Sequence, residues 1–238
     1  VTADPSLSVV IPARNEATTL PILLADLTTT LTLLDHRVEV IVVDDHSTDG
    51  TGELARAHGV RVVPNPGRCG KGMALRAGFA AASGGLFAMM DADYSHRPED
   101  LPAFLAALSE GVGLVIGSRI IGGSEEYTPV RALGNIFLSS VLGLVSGRYL
   151  SDALNGYKVF RRDVFTDFEY TSRAFEIEIE LIANTLRKGY RIVEVASHER
   201  SRAGGAVKSR VVRHGARFLV RILREGIRGL QPGRVTPG

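Results

Sequence analysis

At 238 residues, with 45% hydrophobic and 23% charged side chains, the chain suits one compact globular domain with a full core. Its single cysteine, Cys69, excludes an internal disulfide framework and suits a reducing interior. The net charge of +2 conceals an asymmetry: residues 200–238 hold ten Lys/Arg against Glu225 alone, a local +9 that leaves −7 on residues 1–199, so an anionic partner is expected at the C-terminal end.

No charged-then-apolar leader opens the chain, because Asp4 and Pro5 precede the first apolar run, so no secretory leader is expected. Ser8–Ile11 reads as a buried strand and Glu16–Leu34 as a helix. Val38–Val43 is a second strand, Thr51–His58 a helix and Val60–Val63 a third strand. Lys71–Ala82 is helical, Leu86–Met90 a fourth strand, Glu99–Leu108 helical and Val112–Ile116 a fifth strand. Short two-faced apolar runs alternating with helices imply an α/β fold, a mostly parallel sheet flanked by helices on both faces.

Beyond Gly117 the spacing predicts a loop, an apolar helix over Arg131–Val145 and a polar turn near Asp152–Lys158. A helix over Phe175–Lys188, a strand over Tyr190–Val195 and a basic C-terminal helix follow. The apolar stretch Ile136–Val145, flanked by Arg131 and Arg148, falls short of the roughly 20 residues a bilayer span needs, so no membrane crossing is expected. Residues 1–208 form the expected domain, with 209–238 a basic amphipathic helix and tail that either joins it or docks on a membrane.

Ligands of open parallel sheets gather beyond the carboxyl ends of strands. There the sequence places Pro12-Ala13-Arg14-Asn15-Glu16, Val43-Asp44-Asp45, Asn65, Asp91-Ala92-Asp93 and Ser118-Arg119. Two carboxylates two residues apart at a strand end can share a hard cation such as Mg²⁺ or Mn²⁺, or be two solvated turn acids. Asp45 is assigned to ligand and Asp49 to capping the next helix. Gly67-Arg68-Cys69-Gly70-Lys71-Gly72 lacks the spacing and hydroxyl residue of a P-loop. What remains is a cationic, glycine-rich approach to a helix, equally a phosphate contact or a plain turn.

In the tail, Arg210, Arg213, Arg217, Arg221, Arg224 and Arg228 fall within an arc of about 80° on a helix. Val212, Ala216, Leu219, Leu223, Ile227 and Leu230 lie opposite. Such a helix can lie on an anionic membrane surface, or pack on the core with one solvated face. Nucleic acid is not expected, since no series of aromatics interleaves the arginines and no recognised binding fold is present.

Taken in order, these segments resemble glycosyltransferase family 2, and most closely its polyprenyl-phosphate branch, the dolichyl-phosphate mannose synthase-like enzymes. The likeness runs from about Ser8 to Arg217. It is carried by Val9-Val10-Ile11-Pro12-Ala13-Arg14-Asn15-Glu16 and by Asp44-Asp45-His46-Ser47-Thr48-Asp49-Gly50-Thr51, with His46 where glycine is usual. Gly70-Lys71-Gly72 and Asp91-Ala92-Asp93-Tyr94-Ser95-His96-Arg97-Pro98 continue it. In the second half it rests on Gly117-Ser118-Arg119, Arg131-Ala132-Leu133-Gly134-Asn135 and Glu194-Val195 followed by Arg202 and Lys208. Asn155 and Lys158 replace the usual serine and arginine of one turn, and the loop after Arg202 is smaller than in relatives.

The resemblance implies a GT-A fold and an inverting transfer from a GDP- or UDP-sugar to a polyprenyl phosphate. Donor contacts are then expected from Pro12, Ala13, Arg14, Glu16, Val43, Asp44, Asp45, Asn65, Lys71, Asp91 and Ala92. Asp91 and Asp93 are the expected ligands of Mg²⁺ or Mn²⁺. Arg119, Arg131, Arg202 and Lys208 are expected on the acceptor phosphate, and a cytoplasmic, peripheral place on the inner face of the membrane follows. The rival expectation is a hydroxyl acceptor on a soluble molecule, which needs a general base; Asp152, Glu176 and Glu178 are its candidates. A non-catalytic nucleotide-sugar-binding module is the third reading.

Overall fold

The computed structural model describes residues 6–203 and 211–229. Seven strands form one sheet in the order β3-β2-β1-β4-β6-β5-β7. They are β1 (Leu7–Ala13), β2 (Val38–Asp44), β3 (Arg61–Pro64), β4 (Leu86–Met89), β5 (Val112–Ser118), β6 (Lys158–Arg161) and β7 (Arg191–Ala196). All neighbouring pairs are parallel except those of β6, which runs antiparallel to β4 and β5. The mostly parallel sheet expected from the alternation is therefore present. β6 is a difference: the polar turn expected near Asp152–Lys158 ends in a strand. Four residues beginning with a lysine give no strand-length apolar run, yet all but Arg161 are buried.

The helices are α1 (Leu20–Leu31), α2 (Thr51–Ala57), α3 (Lys71–Ala81), α4 (Leu101–Ala107), α5 (Arg119–Gly122), α6 (Pro129–Ser146), α7 (Arg162–Thr166), α8 (Ile177–Arg187) and α9 (Val211–Ile227). α1 starts four residues later than expected, because Glu16–Thr19 form a turn: the Glu16 carbonyl accepts the Thr19 and Leu20 amides, and its carboxylate accepts the Thr19 hydroxyl at 2.8 Å. α6 opens with the Thr128 hydroxyl accepting the Arg131 amide and Pro129 in the first turn; Gly147, at φ 70°, ends it. The helix is longer than its apolar stretch, and its 18 residues reach the length and composition of a membrane span. Asn135, Leu138, Ser139 and Leu142 nonetheless form a buried face against the body.

The core lies on both faces of the sheet. Phe79 of α3 stacks on Phe87 of β4 at 5.3 Å and meets Phe160 of β6 edge-on at 5.2 Å, tying the antiparallel strand to the parallel half. Because β1, β2, β4 and β5 all run one way, Arg14, Asp45, Asp91 and Arg119 emerge at one edge. That edge carries the site.

α9 corrects the expected single cationic stripe. Arg221 turns inward, where Nη1 meets Glu180 at 2.9 Å and Glu225 at 3.1 Å; Phe218 and Ile222 pack beside it. Arg217, Arg224 and Arg228 stay exposed, and Val220, Leu223 and Ile227 form a separate outward apolar strip. Arg210 lies outside the described residues.

Candidate active site

Two cavities open at this edge and share Lys71, Asp91, Phe175, Arg202 and His214. The first, about 280 Å³, takes in Pro12, Ala13, Arg14 and Glu16 from the end of β1, Asp45, Cys69 and Gly70, and the acidic pair with Ala92. The second, about 200 Å³, gathers Arg119, Tyr127, Arg131, Asn135 and Glu199 around Ser95 and His96, with Leu138, Leu154 and Phe218 as its apolar wall.

Local geometry explains the motif residues. Asn15, His46 and Tyr94 all have positive φ, at 50°, 60° and 66°. The left-handed backbone is why glycine suits position 46, and His46 offsets its cost by an Nε2 contact to the Gly67 carbonyl at 2.8 Å. Asn15 accepts the Thr48 amide at 2.9 Å, joining the first two motifs. Asp49 stands one residue before Gly50, the N-cap of α2, and steadies this end by accepting the Thr51 amide at 3.1 Å and the Ala17 amide at 3.0 Å. Asp45 accepts the Gly70 amide at 2.9 Å and the Asn65 side-chain amide at 2.5 Å, so both shape the 65–70 loop. The Arg14 guanidinium lies 2.7 Å from Cys69 Sγ on the same wall.

Three expected donor residues do not line the first cavity. The Val43 side chain is fully buried in the core. Asp44 accepts the Ser47 amide at 2.9 Å and lies against Gly52 of α2, and Asn65 sits behind Asp45. Side chains alternate along a strand, so Asp44 faces away from its neighbour Asp45.

Asp91 and Asp93 both border the first cavity. Lys71 Nζ lies 2.7 Å from Asp91 and 3.1 Å from Glu178. Burial opposes ionisation of both members of the Lys71–Asp91 pair. Mutual attraction outweighs it, with Glu178 aiding Lys71 and Arg202 aiding Asp91: the lysine pKa is raised and the aspartate pKa is lowered well below the usual carboxylate range. Asp93 faces Arg202 Nε at 3.1 Å and accepts the Ser95 hydroxyl at 2.7 Å. Among the described residues no three His, Cys, Asp or Glu side chains cluster as a closed metal site. Two carboxylates on a cavity wall, completed by substrate phosphate oxygens, are the donor set that Mg²⁺ takes, and the residues fit such an ion.

The turn Asp152–Tyr157 holds the cavities together. A Cβ on Gly156 would come within 2.8 Å of Lys71 Nζ and 2.9 Å of Asp91 Oδ2, so only glycine lets these charges meet. A Cβ on Gly72 would come within 2.6 Å of the Ala174 carbonyl, so that glycine lets α3 press on the 172–174 segment. Lys158, fully buried, donates to the carbonyls of Ala153 and Asn155 and lies 3.9 Å from Glu178. Burial, partly offset by Glu178, pulls its pKa down to about 8.

Arg119 is gripped by the fully buried Asp152, Nε at 2.7 Å and Nη2 at 2.8 Å, and by Glu199 at 3.2 Å. Burial opposes its charge, but these carboxylates raise its pKa further. Arg131 stands 3.8 Å from Glu126, and Arg202 bridges both cavities. Lys208 lies outside the described residues. Ser95, His96, Tyr127, Asn135, Gly156 and Phe175 also line the site. Ser95 and His96 fall inside the acidic motif and Asn135 inside the Arg131–Asn135 segment, which was their only signal; Tyr127, Gly156 and Phe175 come from segments whose sequence shows only helix or turn.

Residues 8–168 match the family described as glycosyl transferase family 2. The chain is 32% identical over 198 residues to a dolichyl-phosphate hexose transferase of Haloferax volcanii, covering 83% of this chain and 84% of that protein. It is 33% identical over 208 residues to the polyprenol monophosphomannose synthase of Mycolicibacterium smegmatis, covering 79% and 74%. Among solved structures, glucosyl-3-phosphoglycerate synthase of Mycobacterium tuberculosis, in complex with Mn²⁺, UDP-glucose and phosphoglyceric acid, superposes with a TM-score of 0.75 at 27% identity. The match covers 97% of this chain and 81% of that one.

Proposed function

The chain belongs to glycosyltransferase family 2, and we propose that it moves a hexosyl group from a GDP- or UDP-sugar to a polyprenyl monophosphate. One observation carries this reading: the cavity that holds the Asp91–Asp93 pair and the cavity that holds Arg119 and Arg131 meet at Lys71, Asp91 and Arg202. The names of the relatives, a dolichyl-phosphate hexose transferase and a polyprenol monophosphomannose synthase, support the acceptor class.

In this reading the nucleotide lies along Pro12–Glu16 and Asp45, with its diphosphate toward Lys71. Mg²⁺ or Mn²⁺, held by Asp91 and Asp93, would offset the charge of the departing diphosphate. Arg119, Arg131 and Arg202, with Lys208, seat the acceptor phosphate. One of its oxygens, already anionic at neutral pH, forms the bond to the anomeric carbon as the bond to the nucleoside diphosphate breaks. The protein then has to orient and to compensate charge, and guanidinium groups suit that work.

A hydroxyl acceptor needs a base, and the three candidates are poorly placed. Asp152 has no exposed surface and is spent on Arg119 and Asn135. Glu176 opens onto a surface hollow beside α9 and lines neither cavity of the site. Glu178 reaches the second cavity, but its Oε1 is taken by Lys71.

The surface beside the site supports a membrane-borne acceptor. Val130, Leu133, Phe137 and Leu144 of α6 are exposed within an arc of about 60°, on a helix packed against α9, which carries its own exposed strip and arginines. Paired with exposed cations, such a face matches an anionic lipid surface, and we place the protein peripherally on the cytoplasmic leaflet. A phosphorylated soluble acceptor is the second reading, favoured by the superposition on the phosphoglyceric acid complex.

The test offers the purified chain GDP-mannose or UDP-glucose, with Mn²⁺ and either undecaprenyl phosphate or 3-phosphoglycerate, and identifies products by mass spectrometry. A hexosyl lipid phosphate is expected, with Asp91→Asn lowering its formation at least about 100-fold, as losing a transition-state charge partner does. Product from 3-phosphoglycerate alone would overturn the lipid reading.

A further inference from the structure

His96 is a buried imidazole with no part in the transfer as described so far. It is 4% exposed, and its ring stacks 5.3 Å from Tyr157, itself stacked 4.3 Å from Phe104. Nδ1 accepts the Asp91 amide at 3.0 Å, so in the neutral ring the proton sits on Nε2. Among the described residues Nε2 has no hydrogen-bond partner, and the side chain lines the second cavity with Arg119, Arg131 and Arg202, not the first. A Cβ on Gly156 would stand 3.2 Å from Cε1, so the absent side chain leaves this edge of the ring open. Held in one tautomer from behind, the ring presents Nε2–H to the second cavity, where a ligand oxygen can take the place of water.

Resting on the reading of the second cavity as a phosphate site, we propose that His96 is a further acceptor-binding residue: its Nε2–H donates to an oxygen of the incoming phosphate. It acts as a neutral donor and moves no proton. It adds a directional bond where the arginines add charge, and because it is fixed to the Asp91 backbone it sets the attacking oxygen relative to the donor side. The same bond serves a lipid phosphate or a soluble one.

Two substitutions separate this role from merely bracing Asp91. In His96→Asn the amide oxygen falls near Nδ1 and can keep the Asp91 amide bond, while nothing reaches the position of Nε2. In His96→Gln the amide reaches the position of Nε2. The full chain, saturated with Mn²⁺ and UDP or GDP, is titrated calorimetrically with farnesyl phosphate and with 3-phosphoglycerate; nucleotide affinity is measured separately. Whichever phosphate the wild type binds should bind about tenfold or more weakly to His96→Asn, as for a lost bond to a charged group. Nucleotide affinity should stay within about twofold, and His96→Gln should regain most of the loss. Unchanged phosphate binding by His96→Asn overturns the inference alone, and so does an equal loss of nucleotide and phosphate. A wild type that binds nucleotide but neither phosphate overturns the acceptor site and this inference together.

Discussion

Glu178 sits between Lys71 and Lys158, and the surroundings of the two lysines separate their work. Lys71 has carboxylates on both sides and its charge is reinforced; Lys158 has carbonyls and one distant carboxylate, and burial lowers its pKa to about 8. A lysine whose folded pKa lies below its unfolded value near 10.5 binds fewer protons in the native state between those two values. Its contribution to stability therefore rises from pH 8 to about 10.5 and is lost as pH falls through 8. In urea titrations across that window, the stability of the wild type relative to Lys158→Met should climb with pH; a flat difference would contradict the assigned environment. At this scale the sequence was legible where chemistry was concentrated, as in the Asp91–Asp93 pair. Even the irregular His46 could be noticed, though its left-handed backbone could not. For Val43 and Asp44 the motif places a strand end at the site without saying which side chains turn toward it. The structural hold of Asp152 on Arg119, 33 residues apart in the chain, had no sequence signal at all.

Among the elements, α9 shows most clearly what periodicity can and cannot tell. Spacing revealed an amphipathic basic helix, but six arginines at helical intervals look alike until their neighbours are known. Arg221 pairs inside with Glu180 and Glu225, and Glu225 also receives Arg187 at 2.7 Å. Glu225→Ala strips Arg187, Arg221 and the more exposed Arg228 of a buried carboxylate and should cost about 3–5 kcal/mol of unfolding free energy. Arg224→Ala, on the exposed stripe, should stay within about 0.5 kcal/mol. Chemical denaturation of both variants checks this; equal effects would mean that α9 does not dock through Arg221. β6 was missed for a related reason: its burial comes from strands on either side, not from its own pattern. The parallel strands were found because each is rich in β-branched and other apolar residues and lies between helical segments.

For the whole molecule, the basic C-terminal end visible in composition supplies Arg202 to the site and Arg217, Arg224 and Arg228 to the surface, where α6 and α9 also expose apolar side chains. Replacing Arg217, Arg224 and Arg228 together by glutamine should weaken binding to phosphatidylglycerol vesicles about 100-fold, at roughly 1 kcal/mol per cation near the surface. Sedimentation with vesicles measures it, and unchanged binding would remove α9 from the membrane contact. The central claim is that the two cavities hold the two substrates against each other. A crystal of the full chain with Mn²⁺, UDP or GDP, and farnesyl phosphate tests this most directly. The account predicts metal on Asp91 and Asp93, and the lipid phosphate among Arg119, Arg131 and Arg202. A farnesyl phosphate bound elsewhere, or a metal away from both aspartates, would contradict it.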